Sequence, residues 1–209
     1  QLANLMKTEN QQPALVTMSI AIWETLQKEV ELKAEYFAGH SLGEFSALVA
    51  AGKLSFSKAI RLVHERGKAM QRAVPIGKGA MAAVLRFNPI ELKALCEKQN
   101  QDTPSLGQVE VVNFNSPLQQ IISGHRPAVE NLCQKLKDMR VICKELPVSA
   151  PFHSTLMKPA KEHMCPLILS TEFIETPTKV FANLTGKIEA PYDPMNLVDQ
   201  IDHPVLWEN

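Results

Sequence analysis

The segment FAGHSLGEFSALVAAGK, residues 37–53, limits the possible folds of this chain more than any other feature. It contains the pattern G-x-S-x-G, with Ser41 between Gly39 and Gly43, where an apolar, strand-like run passes into a helix-like run. This pattern is typical of a sharp strand-to-helix turn that holds a serine hydroxyl out at the end of the strand. The following helix would direct its first N–H groups and the positive end of its dipole at the same place, which stabilises a developing oxyanion.

Ser41 also has a simpler interpretation, as a helix cap. Residues 41–44 spell S-x-x-E, a capping box in which the serine side chain accepts a hydrogen bond from the backbone N–H of residue 44. Capping does not require Gly39, however, and Gly43 in the first turn weakens a helix. The two glycines instead suit a tight turn in which a Cβ would clash, and they favour Ser41 as a nucleophile.

A serine hydroxyl is a weak nucleophile unless a base removes its proton, so we expect a histidine nearby. Adjacent side chains diverge across a tight turn, so His40 is expected to line the pocket rather than to act as the base. His64 and His163 fall within predicted helices. His153, in PVSAPFHS, follows a predicted strand where the chain can enter a cleft between two lobes, which makes it one candidate for the base among the six histidines.

Hydrophobic periodicity predicts an α/β fold in which residues 1–76 and 148–209 form a large lobe. Four apolar residues are spaced for one face of a helix between residues 13 and 29, namely Leu15, Met18, Ile22 and Leu26. The run AEYFAG then predicts a short buried strand ahead of the serine turn. We expect a hydrolase-like lobe with a parallel sheet and a nucleophile elbow.

The pattern changes at residue 77. Strand-like and helix-like segments then follow in the order βαββαβ up to residue 147. The motif NSPL at residues 115–118 carries the turn chemistry needed between the two central strands. This order is the ferredoxin-like arrangement, so we predict a small lobe at residues 77–147 inserted into the large one.

Composition argues against several classes of function. Lysine and arginine together number 22, the same as aspartate and glutamate, so overall charge predicts neither a nucleic acid nor a membrane partner. The four cysteines show no CxxC pair and no metal-like cluster with histidine, so we predict reduced thiols, no metal and a cytoplasmic protein; they are Cys96, Cys133, Cys143 and Cys165. The chain opens without an initiator methionine, which keeps a removed organelle-targeting segment as an alternative.

Four sequence blocks, in one order from Gly39 to Ala160, carry a resemblance to a known family. They are AGHSLGEFSALVAAG, AIRLVHERGKAMQ, VNFNSPLQQIISG and VSAPFHSTLMKPA. Together they resemble the malonyl-CoA:acyl carrier protein transacylases and the related acyltransferase domains of fatty-acid and polyketide synthases. The resemblance implies that Ser41 attacks the thioester of malonyl-CoA, that His153 takes and returns a proton, and that the malonyl group passes to the phosphopantetheine thiol of acyl carrier protein. Coenzyme A would thus enter as a thioester substrate and not as a permanently bound cofactor.

The resemblance also implies a substrate clamp. Arg66, in HERGKAMQ, matches the family arginine that binds the free carboxylate of malonyl. A planar guanidinium can grip a carboxylate through two parallel hydrogen bonds, which fixes the substrate for attack. Met70 in the same helix resembles a pocket-lining residue of the family, although a methionine at helical spacing is more often part of a core.

Four further residues complete the expected site. Leu42 would supply one oxyanion N–H from its backbone. Asn113 and Asn115 fall in the matched NFNSP block, where support of the turn and contact with substrate are both open. Phe152, beside the predicted base, resembles the bulky residue that accompanies the use of malonyl rather than methylmalonyl in synthase domains.

The chain departs from the family at both ends. Family members begin with a glycine- and glutamine-rich strand end that supplies the second oxyanion donor, and no such stretch precedes residue 1. They also continue into a final segment that helps to orient the histidine, which would lie beyond Asn209. We therefore expect a fragment of a longer enzyme, with an inactive fragment as one alternative.

Two other classes of function stay open at this stage. A serine esterase or thioesterase would need an aspartate between residues 41 and 153, where only Asp102 and Asp138 lie, both in the predicted small lobe. A non-catalytic fragment that binds a carrier protein is the second alternative.

The neutral total charge hides a basic stretch. From Lys53 to Arg86, eight residues are basic and only one, Glu65, is acidic. A solvated helix face is the commoner explanation of such a run, and a docking surface for an acidic carrier protein or for the phosphates of CoA is the alternative.

Overall fold

Two β-sheets with helices packed on them make up the mixed α/β fold, in a computed structural model that describes residues 2–30, 32–148 and 150–208. The helices are α1 (Leu2–Leu5), α2 (Thr8–Glu29), α3 (Gly43–Ala50), α4 (Phe56–Ala73), α5 (Pro89–Asp102), α6 (Arg126–Asp138), α7 (Lys158–Leu169) and α8 (Met195–Asp199). The strands are β1 (Tyr36–Phe37), β2 (Gly79–Leu85), β3 (Val109–Ser116), β4 (Gln119–His125), β5 (Ile142–Glu145), β6 (Lys179–Ala182), β7 (Lys187–Glu189) and β8 (Val205–Leu206). Within the described parts of the chain, no helix has the length and apolar character needed to cross a membrane.

The smaller sheet has the strand order β1-β6-β7. Strand β1 runs parallel to β6, with Tyr36 opposite Lys179, whereas β6 and β7 are antiparallel. The prediction of a parallel sheet is therefore right for one pair and wrong for the other. The reason is the short connection of residues 183–186 between β6 and β7, because only antiparallel neighbours can be joined by so tight a turn.

Helix α2 buries a different face from the apolar stripe seen in the sequence. Its buried residues recur every fourth position and face α4 and α3; they are Thr8, Gln12, Val16 and Ile20. The apolar stripe itself is exposed to solvent, and the exposed fraction lies between 43% and 61% for its residues Leu15, Met18, Ile22 and Leu26. Periodicity locates a helix but does not say which face meets a neighbour, and here two polar residues lie inside because polar groups of α4 meet them.

The larger sheet has the order β5-β2-β4-β3-β8. The pairs β5-β2, β2-β4 and β4-β3 are antiparallel, and along the chain these strands and two helices follow in the order β2-α5-β3-β4-α6-β5. Strand β3 ends at Ser116 and β4 begins at Gln119, so the NSPL motif forms the tight turn between them. The short strand β8 adds to the edge of β3 in parallel, with Val205 opposite Asn113. The C-terminal segment is thereby tied to this sheet.

Apolar side chains form separate cores on the two sheets. One core draws on residues 16–74 and 150–201 and includes Phe45 and Met164, both fully buried. The other draws on residues 80–143 and packs α5 and α6 against the larger sheet. Because side chains alternate along β2, Met81 lies on the opposite face of that sheet, in a third cluster that Phe152 contacts. This third cluster lies at the seam between the two cores.

The cysteines differ from the prediction of four reduced thiols. Cys133 in α6 and Cys143 in β5 form a disulfide, while Cys96 and Cys165 are free. The chain folds back between α6 and β5 through residues 139–141, and this turn brings the two Cα atoms to 5.6 Å, within the usual range for a bridge.

The eight basic residues between 53 and 86 do not share one face. Lys53 and Arg66 are buried, and Lys58 and Lys68 form ion pairs with Glu172 and Glu65. The other four side chains are exposed; they are Arg61, Arg72, Lys78 and Arg86. The run is thus not a single solvated face, and any docking surface would draw mainly on these four.

Candidate active site

The turn that carries Ser41 lies between β1 and α3. Ser41 has φ of +53°, in the left-handed region that non-glycine residues adopt only under strain. A Cβ at residue 39 would overlap the backbone of Gly43, so the first glycine is required by the close approach of the two chain segments. A Cβ at residue 43 would meet no atom within 4 Å, so the prediction that Gly43 also relieves a clash is wrong.

The capping-box alternative for Ser41 is wrong as well. Helix α3 begins without a side-chain cap, and the N–H of Glu44 donates to the backbone carbonyl of Ser41 at 3.1 Å rather than to its hydroxyl. The N–H of Ser41 donates to Asn183 Oδ1 at 2.5 Å, so the Glu44 carboxylate does not reach back to it. The serine hydroxyl is therefore free to face the cavity.

Ser41 and His153 form a hydrogen-bonded pair. Ser41 Oγ lies 2.7 Å from His153 Nε2, and His153 Nδ1 lies 2.7 Å from the backbone carbonyl oxygen of Gln200. Because a carbonyl can only accept, Nδ1 carries the proton, and Nε2 is left with a lone pair that faces the serine hydroxyl. We expected the group that orients the histidine to lie beyond Asn209, and this expectation is wrong, because Gln200 within the chain holds it.

Burial keeps His153 in the neutral state. Its side chain is 4% exposed, and its pKa is lowered to about 3, chiefly by burial and then by the positive charge of Arg66. The hydrogen bond to the Gln200 carbonyl opposes this shift. A neutral imidazole with a lone pair on Nε2 can accept a proton from a hydroxyl or a thiol at neutral pH.

Arg66 reaches the serine from α4. Its Nη2 donates to Ser41 Oγ and to Gln200 Oε1, each at 3.1 Å, and its Nη1 donates to Gln12 Oε1 at 3.0 Å. Burial lowers the pKa of Arg66 to about 10, and the charge of Glu44 partly offsets this effect, so the guanidinium is a buried cation at neutral pH. All of these hydrogen-bond acceptors are neutral groups, and a buried cation of this kind suits an anionic ligand.

The two asparagines lie beside His40. Asn115 Oδ1 is 2.8 Å from His40 Nε2, and Asn113 Nδ2 is 3.3 Å from the same atom. The imidazole also packs against Trp207, with ring centroids 5.4 Å apart. Both asparagines therefore contact the residue that precedes Ser41. From the sequence, support of the turn and contact with substrate were both open for them.

One cavity of about 340 Å³ gathers all nine residues that the sequence singled out. They are His40, Ser41, Leu42, Arg66, Met70, Asn113, Asn115, Phe152 and His153. Met81 and Ile121 of the larger sheet also line it, so the cavity lies at the seam between the two cores. In the described parts of the chain, no group of three His, Cys, Asp or Glu side chains is arranged to hold a metal ion.

Sequence reasoning missed four polar residues around this cavity. Gln12 and Gln200 bind Arg66, Asn183 binds the N–H of Ser41, and Glu44 lies fully buried beneath the turn. The only local signals are Glu44 in the S-x-x-E pattern and Gln12 as a polar residue on the inner face of α2.

Comparison with known proteins identifies the family of the chain. The family model described as an acyl transferase domain matches residues 1–206. The chain belongs to the acyl transferase domain family. Within this family, it is 41% identical to the malonyl CoA-acyl carrier protein transacylase of Escherichia coli strain K12, across 97% of the chain and 65% of that protein. It is 40% identical to the protein of the same name from Bacillus subtilis strain 168, across 98% of the chain and 64% of that protein.

Solved structures of acyl transferase domain proteins are similar to the chain throughout. FabD from Acinetobacter baumannii superimposes with a TM-score of 0.92 at 39% identity, over 97% of the chain and 65% of that structure. A malonyl-transacylase in complex with its type II polyketide synthase acyl-carrier protein gives a TM-score of 0.92 at 40% identity, over 99% of the chain and 67% of that structure. The chain spans about 65% of the length of the first curated relatives that it matches.

Proposed function

We propose that the chain carries the catalytic machinery of a malonyl-CoA:acyl carrier protein transacylase of fatty-acid biosynthesis. One observation carries this proposal beyond a general serine acyltransferase. Arg66 places a buried cation with only neutral hydrogen-bond acceptors 3.1 Å from the Ser41 hydroxyl. A malonyl group bears a carboxylate two bonds from its thioester carbonyl carbon, so a carboxylate on the guanidinium brings that carbonyl close to Ser41 Oγ.

The first half of the reaction forms an acyl-enzyme. Ser41 Oγ attacks the thioester carbonyl of malonyl-CoA while His153 Nε2 takes its proton. The resulting oxyanion accepts a hydrogen bond from the backbone N–H of Leu42, at the start of α3. The C–S bond then breaks, the CoA thiolate leaves with the proton from His153, and malonyl stays on Ser41 as an ester.

The second half reverses these steps with another thiol. The phosphopantetheine thiol of acyl carrier protein gives its proton to His153 Nε2 and attacks the ester carbonyl. The serine oxygen leaves and recovers that proton, and malonyl passes to the carrier protein as a thioester. The pocket around the acyl and pantetheine groups would be shaped by Phe152 and Met70 and by His40 with its two neighbours, Asn113 and Asn115.

The fold proposal follows the same lines. We propose that residues 1–76 and 148–209 form a hydrolase-like large lobe, and that residues 77–147 form an inserted ferredoxin-like lobe. The element order β2-α5-β3-β4-α6-β5 and the strand order β5-β2-β4-β3 support the second assignment. Substrate would bind at the seam, where side chains of both lobes line the cavity.

A serine esterase with a Ser-His-Asp triad is less well supported. His153 Nδ1 faces a backbone carbonyl, whereas a triad would place an aspartate there. Asp102 pairs with Lys98 on the surface, and Asp138 accepts a hydrogen bond from Gln134 on α6.

Intact-mass spectrometry after incubation with malonyl-CoA tests the proposal, with the protein expressed from its complete reading frame. The expected result is one malonyl adduct on Ser41 that persists without carrier protein and disappears when the phosphopantetheine form of acyl carrier protein is added. Rapid release of free malonate would indicate a hydrolase. Absence of any adduct, with carrier protein still bound, would indicate a binding fragment and would overturn the proposal.

The pH dependence of acyl-enzyme formation should reflect the low pKa of His153. An ordinary histidine is protonated below about pH 6.5, whereas His153, with a pKa of about 3, keeps its lone pair well below that pH. We therefore expect kcat/KM for malonyl-CoA to stay level from about pH 8 to about pH 5. Thermal unfolding at each pH serves as the control for stability. Burial raises the pKa of Glu44 to about 7, so this carboxyl also titrates in the same range, and the profile is measured in Glu44→Gln as well. A fall with an apparent pKa near 6.5 in folded Glu44→Gln protein would contradict the assigned state of the base.

A further inference from the structure

Glu44 is a buried carboxylate that the proposed reaction does not use. It follows Ser41 by one helical turn, and its side chain is fully buried. Three donors meet it: Tyr192 Oη donates to Oε1 at 2.5 Å, Gln200 Nε2 donates to Oε2 at 2.6 Å, and the N–H of Asn183 donates to Oε2 at 3.2 Å. A buried carboxylate that accepts three hydrogen bonds holds in place the chain segments that supply the donors, here those around residues 183, 192 and 200.

Two of these partners in turn hold the reacting groups. The backbone carbonyl of Gln200 accepts from His153, and its Oε1 accepts from Arg66. The side chain of Asn183 bridges the serine turn, because its Oδ1 accepts from the N–H of Ser41 and its Nδ2 donates to the carbonyl of Gly39 at 2.8 Å. Glu44 is thus one hydrogen-bonded residue away from the nucleophile, the base and the clamp.

The Gln200 amide NH₂ has two acceptors, Glu44 Oε2 at 2.6 Å and the backbone carbonyl of Ser41 at 3.5 Å, and Glu44 is the closer of the two. Because Glu44 Oε2 accepts from Nε2 of Gln200, the amide oxygen must point the other way, toward Arg66. In the reversed orientation the amide NH₂ would face the guanidinium, and two donors would meet. An acceptor at the position of Oε2 therefore selects the orientation that holds Arg66.

We propose that Glu44 is a positioning residue of the acyl-transfer site, whose Oε2 holds the Gln200 side chain and thereby sets the geometry of Arg66 beside Ser41 and His153. The effect on malonyl transfer rests on the proposed function. The effect on the reactivity of Ser41 does not, because it requires only the pair of Ser41 and His153.

A purely electrostatic role is the competing explanation. The negative charge of Glu44 acts on the buried cation of Arg66, and burial raises the pKa of Glu44 itself to about 7 against its hydrogen bonds. If charge were the essential property, aspartate would replace Glu44 better than glutamine. If the reach of Oε2 is essential, glutamine is the better replacement.

Two conservative variants separate these explanations. In Glu44→Gln the amide oxygen can accept from Gln200 and Asn183, and its NH₂ can donate to the Tyr192 hydroxyl, which can also accept. In Glu44→Asp the charge stays, but the side chain is shorter by about 1.5 Å and loses contact with Gln200. We expect Glu44→Gln to retain kcat within about threefold and Glu44→Asp to lose at least about tenfold, with KM for malonyl-CoA changed less than kcat.

Controls identify the path through Gln200. Tyr192→Phe removes the partner of Oε1 alone and should keep kcat near the wild-type value, and Glu172→Asp makes the same shortening at an exposed carboxylate. In a Gln200→Ala background, the difference between glutamine and aspartate at position 44 should shrink to within about threefold, because the amide that they orient is absent. Should Glu44→Asp fail to fold, Glu44→Asn replaces it, since it shortens the side chain equally.

The experiment combines malonyl transfer with labelling of Ser41 by a serine-directed fluorophosphonate, using protein from the complete reading frame. If wild-type protein labels but transfers no malonyl, the proposed function fails, and the labelling rates still test Glu44. The inference is supported if both rates fall in the order wild type, Gln, Asp. It is overturned if Asp equals or exceeds Gln, if labelling is unchanged in Glu44→Asp, or if the difference persists without the Gln200 side chain.

Discussion

Replacing either Ser41 or His153 with alanine should abolish acyl-enzyme formation from malonyl-CoA. The two side chains share one proton across 2.7 Å, and the Gln200 carbonyl fixes the tautomer that leaves Nε2 free to accept it. Without the hydroxyl there is no nucleophile, and without the imidazole the hydroxyl is not activated. In such linked machinery a single loss costs about 10⁴- to 10⁶-fold in rate. Rapid-quench measurement of the acylation rate, with intact mass as the readout, quantifies the loss.

The double variant should be hardly slower than either single variant, because each substitution already disables the same step. His163→Ala is the matched control, since this imidazole is exposed and its partner is Glu65. His64→Ala is a second control, because His64 lies 2.8 Å from the carbonyl of Glu9 and does not line the cavity. Acylation of His153→Ala at the wild-type rate would show that another group is the base.

The serine turn was predictable because its signals are local. Gly39 is required by its close approach to the next turn of chain, and the strand, the serine and the helix follow one another within residues 36–50. Few residue types can act as the base or bind a carboxylate, so only the histidines and the basic residues were candidates for these two roles. The resemblance then selected His153 and Arg66, and the structure places both beside Ser41.

The groups that hold these residues were not predictable in the same way. Gln200 acts through its backbone carbonyl and an amide, and no residue pattern records that it will meet His153, 47 positions away. Asn183 lies 142 positions from the serine whose N–H it binds. Glutamine and asparagine are also common on surfaces, so their burial becomes visible only once the packing of separate segments is known.

Helix α2 also shows that a sequence pattern does not determine tertiary contacts. Its apolar stripe gave the helix correctly, but the inward face is set by the partner helices and carries Gln12 because Arg66 needs an acceptor there. The capping box failed for a related reason, since a buried carboxylate at Glu44 finds three donors from distant segments. Tertiary partners thus outweigh local preference at the residues closest to the site.

Arg66→Ala should cause a steep and selective loss of malonyl transfer. The substitution leaves the substrate carboxylate without a partner in a pocket partly closed to water, a penalty of about 2–5 kcal/mol by analogy with truncated buried charge pairs, or roughly 30- to 4,000-fold. An acetyl group has no carboxylate and does not use the clamp. Arg66 also contacts Ser41 Oγ and lowers the pKa of His153, so its removal can alter both reactions, and only their ratio isolates the clamp.

Two further variants sharpen this prediction. Lysine at position 66 should restore only part of the malonyl activity, because a point charge cannot reproduce two parallel hydrogen bonds. Arg61→Ala, at an exposed arginine on the same helix, is the matched control and should leave the ratio of the two reactions unchanged, because both substrates carry the same CoA.

The central claim is that a buried cation beside Ser41 selects an acyl group with a carboxylate. Its most direct test is the kcat/KM for malonyl-CoA divided by the kcat/KM for acetyl-CoA, measured in wild type and in Arg66→Ala. We predict that the ratio falls by about 30-fold or more in the variant. An unchanged ratio in folded protein would contradict the account, because the choice of substrate would then depend on other residues.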